Sequence, residues 1–138
     1  QYKKLWKLMF DTFKAKGVNN LIWVWTSDGK DKDYYPGDEY VDIIGRDYYE
    51  NDASKYHFSL ISDFDALYNL TDGKKIITLS ECGAVPEIGN MMQGGDMWSW
   101  FMPWNGDFMN SPYNDDAFFN AQMNSKYVIT RDELPSWK

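Results

Sequence analysis

Leu21-Ile22-Trp23-Val24-Trp25 is five apolar residues in a row, with no polar residue to mark a solvent face. Alternation would mean a strand with one wet side. An unbroken run is the habit of strands in parallel sheets, which helices cover on both faces. That segment predicts an α/β fold, and the remaining pattern agrees. Ahead of it, Tyr2, Leu5, Trp6, Met9, Phe10 and Phe13 recur at helical spacing, with Gly17 placed as a C-terminal cap. Behind it come a polar loop from Thr26 to Asp33, the turn Tyr34-Tyr35-Pro36-Gly37 and a second strand over Val41–Asp47. A helix is expected from Ser54 to Tyr68, with Leu60, Ile61, Phe64, Leu67 and Tyr68 on one face. Asp72-Gly73 turns the chain into a third strand, Lys75–Ser80. A loop rich in Gly and Met follows, then a fourth strand over Met97–Trp104 and a last helix from Ala117 to about Lys126.

Four such strands with helices between them are half of a (β/α)8 TIM barrel, which takes roughly 250 residues. The chain has 138, with no repeat, linker or low-complexity tract, so residues 1–138 read as one unit. A doubly wound sheet is the other arrangement. It lacks support because no glycine fingerprint follows the first strand.

The net charge of −7 argues against a phosphate-backbone binder and against adhesion to an anionic membrane. No run approaches the roughly 18 apolar residues of a spanning helix. Cys82, the one cysteine, leaves no intrachain disulfide and no multi-cysteine zinc site. The opening at Gln1, without an initiator methionine or a signal-like stretch, leads us to expect a processed or excised piece.

Barrel chemistry stands at the C-terminal ends of the strands. Those ends carry Trp25 with Asp28, Asp47 with Tyr48 and Tyr49, Glu81, and Trp104 with Asp107. Aromatic faces suit the C–H plates of pyranose rings, and carboxylates supply acid, base or nucleophile for glycosidic cleavage. Seven Trp, ten Tyr and eight Phe are more than a core alone needs. Each residue has a plainer reading too. Glu81 is otherwise a structural ion pair, Asp47 a rim carboxylate bonded to backbone, and Tyr49 a cover for a strand end. Trp104 precedes the turn Asn105-Gly106, which favours a sugar platform over a core position. Trp23 and Trp25 are expected to face opposite ways, one of them in the core. His57 reads as structural, without partner ligands for a metal, and Cys82 has no nearby histidine to make it a nucleophile. Asn69-Leu70-Thr71 fits a glycosylation pattern that often occurs by chance.

Several of these segments resemble glycoside hydrolase family 26, the β-mannanases. Asn19-Asn20-Leu21-Ile22-Trp23-Val24-Trp25 is similar to the family's fifth strand. Tyr35-Pro36-Gly37-Asp38, Val41-Asp42-Ile43-Ile44-Gly45, Asp47 and Tyr49 are similar to the run through strand six. Leu79-Ser80-Glu81-Cys82-Gly83 resembles the strand-seven motif, usually Ser-Glu-Phe-Gly, with Cys82 as a departure. Trp100 to Gly106 is similar to the eighth-strand segment. The resemblance implies the C-terminal half of the catalytic domain, strands five to eight, of a retaining endo-acting hydrolase of β-1,4-mannan. It implies Glu81 as nucleophile, Tyr49 as its hydrogen-bond donor, Asp47 beside it in the donor site, and Trp104 and Trp25 against substrate. No metal or other cofactor is expected.

The family's general acid/base, a glutamate ending strand four, has no match here. The chain is therefore expected to work as part of a longer enzyme, with the N-terminal half of the same barrel as partner, and to be inactive alone. Asp47 or Glu87 as the acid in a complete short chain is a second account. A non-catalytic mannan-binding protein is a third, and xylan or mixed-linkage glucan remain other substrates for such a hydrolase. A polymer too large to enter a cell implies a secreted or surface-bound enzyme, acting without nucleic acid or membrane insertion.

Overall fold

The computed structural model describes residues 1–110 and 112–136. Strands β1 (Val24–Ser27), β2 (Ile43–Tyr48), β3 (Ile76–Cys82) and β4 (Phe101–Pro103) form one sheet in the order β1-β2-β3-β4, every pair parallel. Helices are α1 (Tyr2–Ala15), α2 (Ile61–Leu70), α3 (Ile88–Gly94) and α4 (Asp116–Met123). Parallel strands laid down consecutively, each beside the last, are what successive units of a (β/α) barrel produce.

α1 stops where the sequence predicts. Gly17 takes φ +74, its N–H reaches the Lys14 carbonyl, and the Val18 N–H reaches the Phe13 carbonyl. Together these two bonds are a Schellman cap. The helix packs Trp6, Phe10 and Phe13 on the Trp23 ring, with centroids 5.3–5.9 Å apart. Its second apolar stripe, Leu5, Leu8 and Met9, is exposed.

The core lies between the sheet and the helices and includes Trp25, Ile44, Leu67, Ile77, Leu79, Cys82, Val85, Ile88, Met91 and Trp98. On the opposite face Val24, Ile43 and Ile76 give way toward the strand ends to small and polar residues: Gly45 lies against the Thr78 and Ser80 side chains, which hydrogen-bond to each other at 2.9 Å.

Four expectations change. First, β1 starts at Val24 rather than Leu21. The Asp42 carboxylate takes the Trp23 N–H at 2.8 Å, so ladder pairing begins one residue later, with Val24 opposite Ile43. Ile22 is 70% exposed and Val24 36%, so this edge strand is covered on one face only. Second, Trp23 and Trp25 both face the helix side, because residues two apart in an extended chain share a face. Third, the helix expected from Ser54 begins at Ile61. His57 sits at φ +68, which ends any helix, and Asp52 caps only a single turn over Ala53–Lys55. Fourth, the Gly- and Met-rich loop contains α3. Ile88 and Met91, three apart, bury one face of it, the Gln122 side chain accepts the Ile88 N–H at 2.8 Å, and Gly95 at φ +91 ends it. Burial and a borrowed cap outweigh the low propensity of its glycines.

Candidate active site

Alternation alone would turn Glu81 the wrong way. Ile77 and Leu79 point into the helix-side core, so Glu81 should follow them. The pairing instead jumps: Arg46 lies opposite Leu79, but Asp47 lies opposite Glu81. Ser80 is thus the extra residue of a β-bulge, which turns Glu81 to the side of Asp47 and sends Cys82 into the core. Gly45 makes the bulge fit. A Cβ there would lie 3.0 Å from the Ser80 Cβ and closer still to its hydroxyl.

At the strand ends the Tyr49 hydroxyl donates to Glu81 Oε2 at 2.9 Å. Burial, reinforced by this bond and the Glu81 charge, raises the Tyr49 pKa, so the phenol stays a donor. Asp47 is half-buried, and its Oδ1 is buried without a hydrogen-bond partner among the described residues. Its carboxyl is pushed up to about 6, first by burial and then by the neighbouring Glu81 charge, with Arg46 opposing. The Arg46 guanidinium serves the backbone instead: it donates to the Asp47 carbonyl at 2.7 Å and the Ser27 carbonyl at 3.2 Å, and pairs with Asp63 at 2.6 Å. It thereby ties β1, β2 and α2 together beneath the site.

Trp104 follows β4, where Pro103 lies opposite Cys82; its backbone N–H reaches the Cys82 carbonyl at 2.8 Å, and its side chain is exposed. Trp25 is not part of this surface. It is 1% exposed, packed edge-on against Tyr35 at 5.2 Å, and offers no ring face to a ligand. Glu87 opens α3 and accepts from Asn90 at 3.0 Å. His57 Nδ1 donates to the Val85 carbonyl at 2.6 Å, a structural bond. Burial pushes the Cys82 thiol up to about 12, leaving no thiolate to act. Among the described residues no three His, Cys, Asp or Glu side chains converge as metal ligands would.

Sequence reasoning missed Phe108 and Asn114, and met Gly83 only as the end of the Glu81 motif. The Phe108 ring lies 5.2 Å from that of Tyr49 and covers Gly83, where a Cβ would meet it at 3.2 Å. Asn114, 1% exposed, binds the Gly83 and Phe108 carbonyls and the Val85 N–H. Nothing in the local sequence singles out Phe108 or Asn114.

Comparison with known proteins places this geometry. The model of Glycosyl hydrolase family 26 matches residues 1–133. A mannan endo-1,4-β-mannosidase B from Piromyces sp is 36% identical over 97% of the chain, which spans 23% of that protein. One from Thermothelomyces thermophilus is 34% identical over 99% of the chain, spanning 27% of its length. A β-mannanase from a symbiotic protist of the termite Reticulitermes speratus, solved with a gluco-manno-oligosaccharide, is 39% identical and superposes with a TM-score of 0.85. The match covers 98% of this chain and 42% of that one. A ruminal GH26 endo-β-1,4-mannanase gives a TM-score of 0.90 at 29% identity, covering 99% and 31%. The four parallel strands are those of the second half of a (β/α)8 barrel, and the chain belongs to glycosyl hydrolase family 26.

Proposed function

We propose that this chain is the nucleophile-bearing half of a retaining endo-β-1,4-mannanase. The observation that carries the reading is the Tyr49–Glu81 hydrogen bond at a bulged strand end beside a second carboxylate. Glu81 attacks the anomeric carbon of a β-linked mannose as the glycosidic C–O bond breaks. The leaving oxygen keeps the bonding electrons and takes a proton from a carboxylic acid, and water later releases the covalent glycosyl-enzyme with that acid acting as base. Tyr49 fixes Oε2, leaving the other carboxylate oxygen to attack. A neutral phenol orients Glu81 without neutralising it.

Asp47 does not suit the acid role. It sits beside Glu81 on the neighbouring strand, whereas acid and nucleophile flank the scissile bond. Its unpartnered Oδ1 suits a sugar hydroxyl in the donor site. Trp104 is the platform under a sugar ring. The acid belongs to the other half of the barrel, which also covers Leu5, Leu8, Ile22, Trp100 and Met102, exposed along the two open edges. The relatives named mannan endo-1,4-β-mannosidase supply the choice of mannan. Such a polymer cannot enter a cell, so the enzyme acts outside it.

The test is reducing-sugar release from galactomannan, glucomannan, xylan and mixed-linkage glucan by the chain with both barrel halves. Glu81→Gln should lower kcat by at least about 10⁴-fold while mannan affinity persists, because it removes the bond-forming atom. Ordinary turnover by Glu81→Gln would overturn the nucleophile assignment. Mannan binding without turnover by the wild type would make the protein a binding module, and preference for another polymer would correct the substrate.

A further inference from the structure

We infer that Asn114 is a positioning residue for the Tyr49–Glu81 pair; the inference rests on the function proposed above. Asn114 sits ahead of α4, far in sequence from both, yet among the described residues its buried amide is the one side chain that ties together the loops after β3 and β4 by direct bonds. Its Nδ2 donates to the Gly83 carbonyl at 2.8 Å and to the Phe108 carbonyl at 2.6 Å, while Oδ1 accepts the Val85 N–H at 2.9 Å. No ionised or purely aliphatic side chain of this size offers two donors and an acceptor in that arrangement.

Two routes lead from this clamp to the reacting carboxylate. Gly83 is two residues past Glu81, and its own N–H is held by the Tyr48 carbonyl at 3.1 Å. Asn114 therefore fixes the backbone on which Glu81 stands. Phe108, anchored at its carbonyl, presses its ring on Tyr49 and over the open face of Gly83. The ring is backed in turn by Tyr113 at 4.6 Å, and Tyr113 stacks on Tyr56 at 5.1 Å. Tyr49 itself is 38% exposed, so this aromatic wall and the bond to Glu81 are what limit its motion. Release of the clamp frees Phe108, and with it the phenol that aims Glu81.

The experiment is a double-mutant cycle in the chain with both barrel halves, measuring kcat and KM on mannan alongside a thermal melt. Asn114→Ala should lower kcat by about 10- to 100-fold with little change in KM, since a displacement of about 1 Å at a reacting group has effects of that size. In a Tyr49→Phe background the same change should cost clearly less, because the route through Phe108 and the phenol is already cut and only the route through the Gly83 backbone remains. Phe108→Leu keeps the Asn114 hydrogen bonds and removes the ring. It should show the same non-additivity with Tyr49→Phe, and it carries the test if Asn114→Ala does not fold. Additive effects of either variant with Tyr49→Phe, or a loss confined to KM, would overturn the inference. Its failure is distinct from failure of the functional reading, which shows as turnover by Glu81→Gln.

Discussion

The two flanks of the sheet are held by different means. On the β1 side, α1 is attached through ring contacts with Trp23, Tyr34 and Tyr40, an exposed Lys7–Glu39 pair at 3.9 Å and, among the described residues, one side-chain hydrogen bond, Trp6 Nε1–H to the Tyr40 carbonyl at 3.0 Å. No residue of α1 is buried. On the β3–β4 side, buried polar side chains stitch distant segments together. Asp96 accepts from Ser59, the Leu60 N–H and Trp98, Gln122 caps α3, and Asn114 joins two loops. Apolar contact sets where elements lie but tolerates sliding, whereas a satisfied buried network fixes one geometry. The flank that carries Glu81 and Trp104 is the one built by directional bonds.

Asp96→Ala is the strongest way to break this contrast. It strands three donors in a site with no exposure at all, which should destabilise the protein by about 3–5 kcal/mol. Trp6→Phe, which loses one half-buried bond, should cost about 1 kcal/mol. Urea unfolding of both variants decides; equal losses would mean that the two flanks are held alike.

Gly45→Ala sharpens the contrast within the sheet. The added methyl collides with the bulged Ser80 and with Thr78, so we expect about 1–3 kcal/mol of overpacking. The kcat should also fall, by about 100-fold, because relief of the clash re-aims Glu81. A variant that loses stability and keeps its kcat would show that the bulge does not direct the carboxylate.

The same division decides what was legible. Apolar periodicity announced α1, all four strands and the parallel sheet, since burial writes a pattern of period into the chain. The strand-end carboxylates Asp47 and Glu81 and the phenol of Tyr49 were legible as chemistry placed after apolar runs, and the structure brings these three together. Trp25 was misplaced because the same reading could not tell the helix side of a strand from the open side. The bulge at Ser80, the αL residue His57 and the glycine-bounded α3 were not legible. Each is imposed by contacts 30 or so residues away in sequence, such as Gln122 to Ile88 (34 apart) and His57 to Val85 (28 apart). Asn114 shows the limit most clearly, as a polar residue in a polar segment whose role exists only once two loops have met around it.

Asp47 yields the smallest effect and the one that ties the site to stability. Its carboxyl is pushed from an ordinary 3.8 to about 6 in the folded chain, by burial first, then by Glu81, with smaller repulsion from Asp31 and Asp28 and attraction from Arg46. Below about pH 4 it is protonated whether folded or unfolded and adds nothing unfavourable. Between about pH 4 and 6 the unfolded chain has released a proton that the folded protein still holds, so stability falls across that window and levels off above it. Asp47→Asn should therefore raise stability at pH 8 by about 1 kcal/mol, once solvent screening of a half-exposed group is allowed for. At pH 3.5 the gain should vanish. In a Glu81→Gln background one cause of the shift is gone, so the gain should shrink and its midpoint move to lower pH. A gain that is the same at both pH values would mean that Asp47 is destabilising for its shape and not for its charge, and the electrostatic pairing of the two strand ends would fall with it.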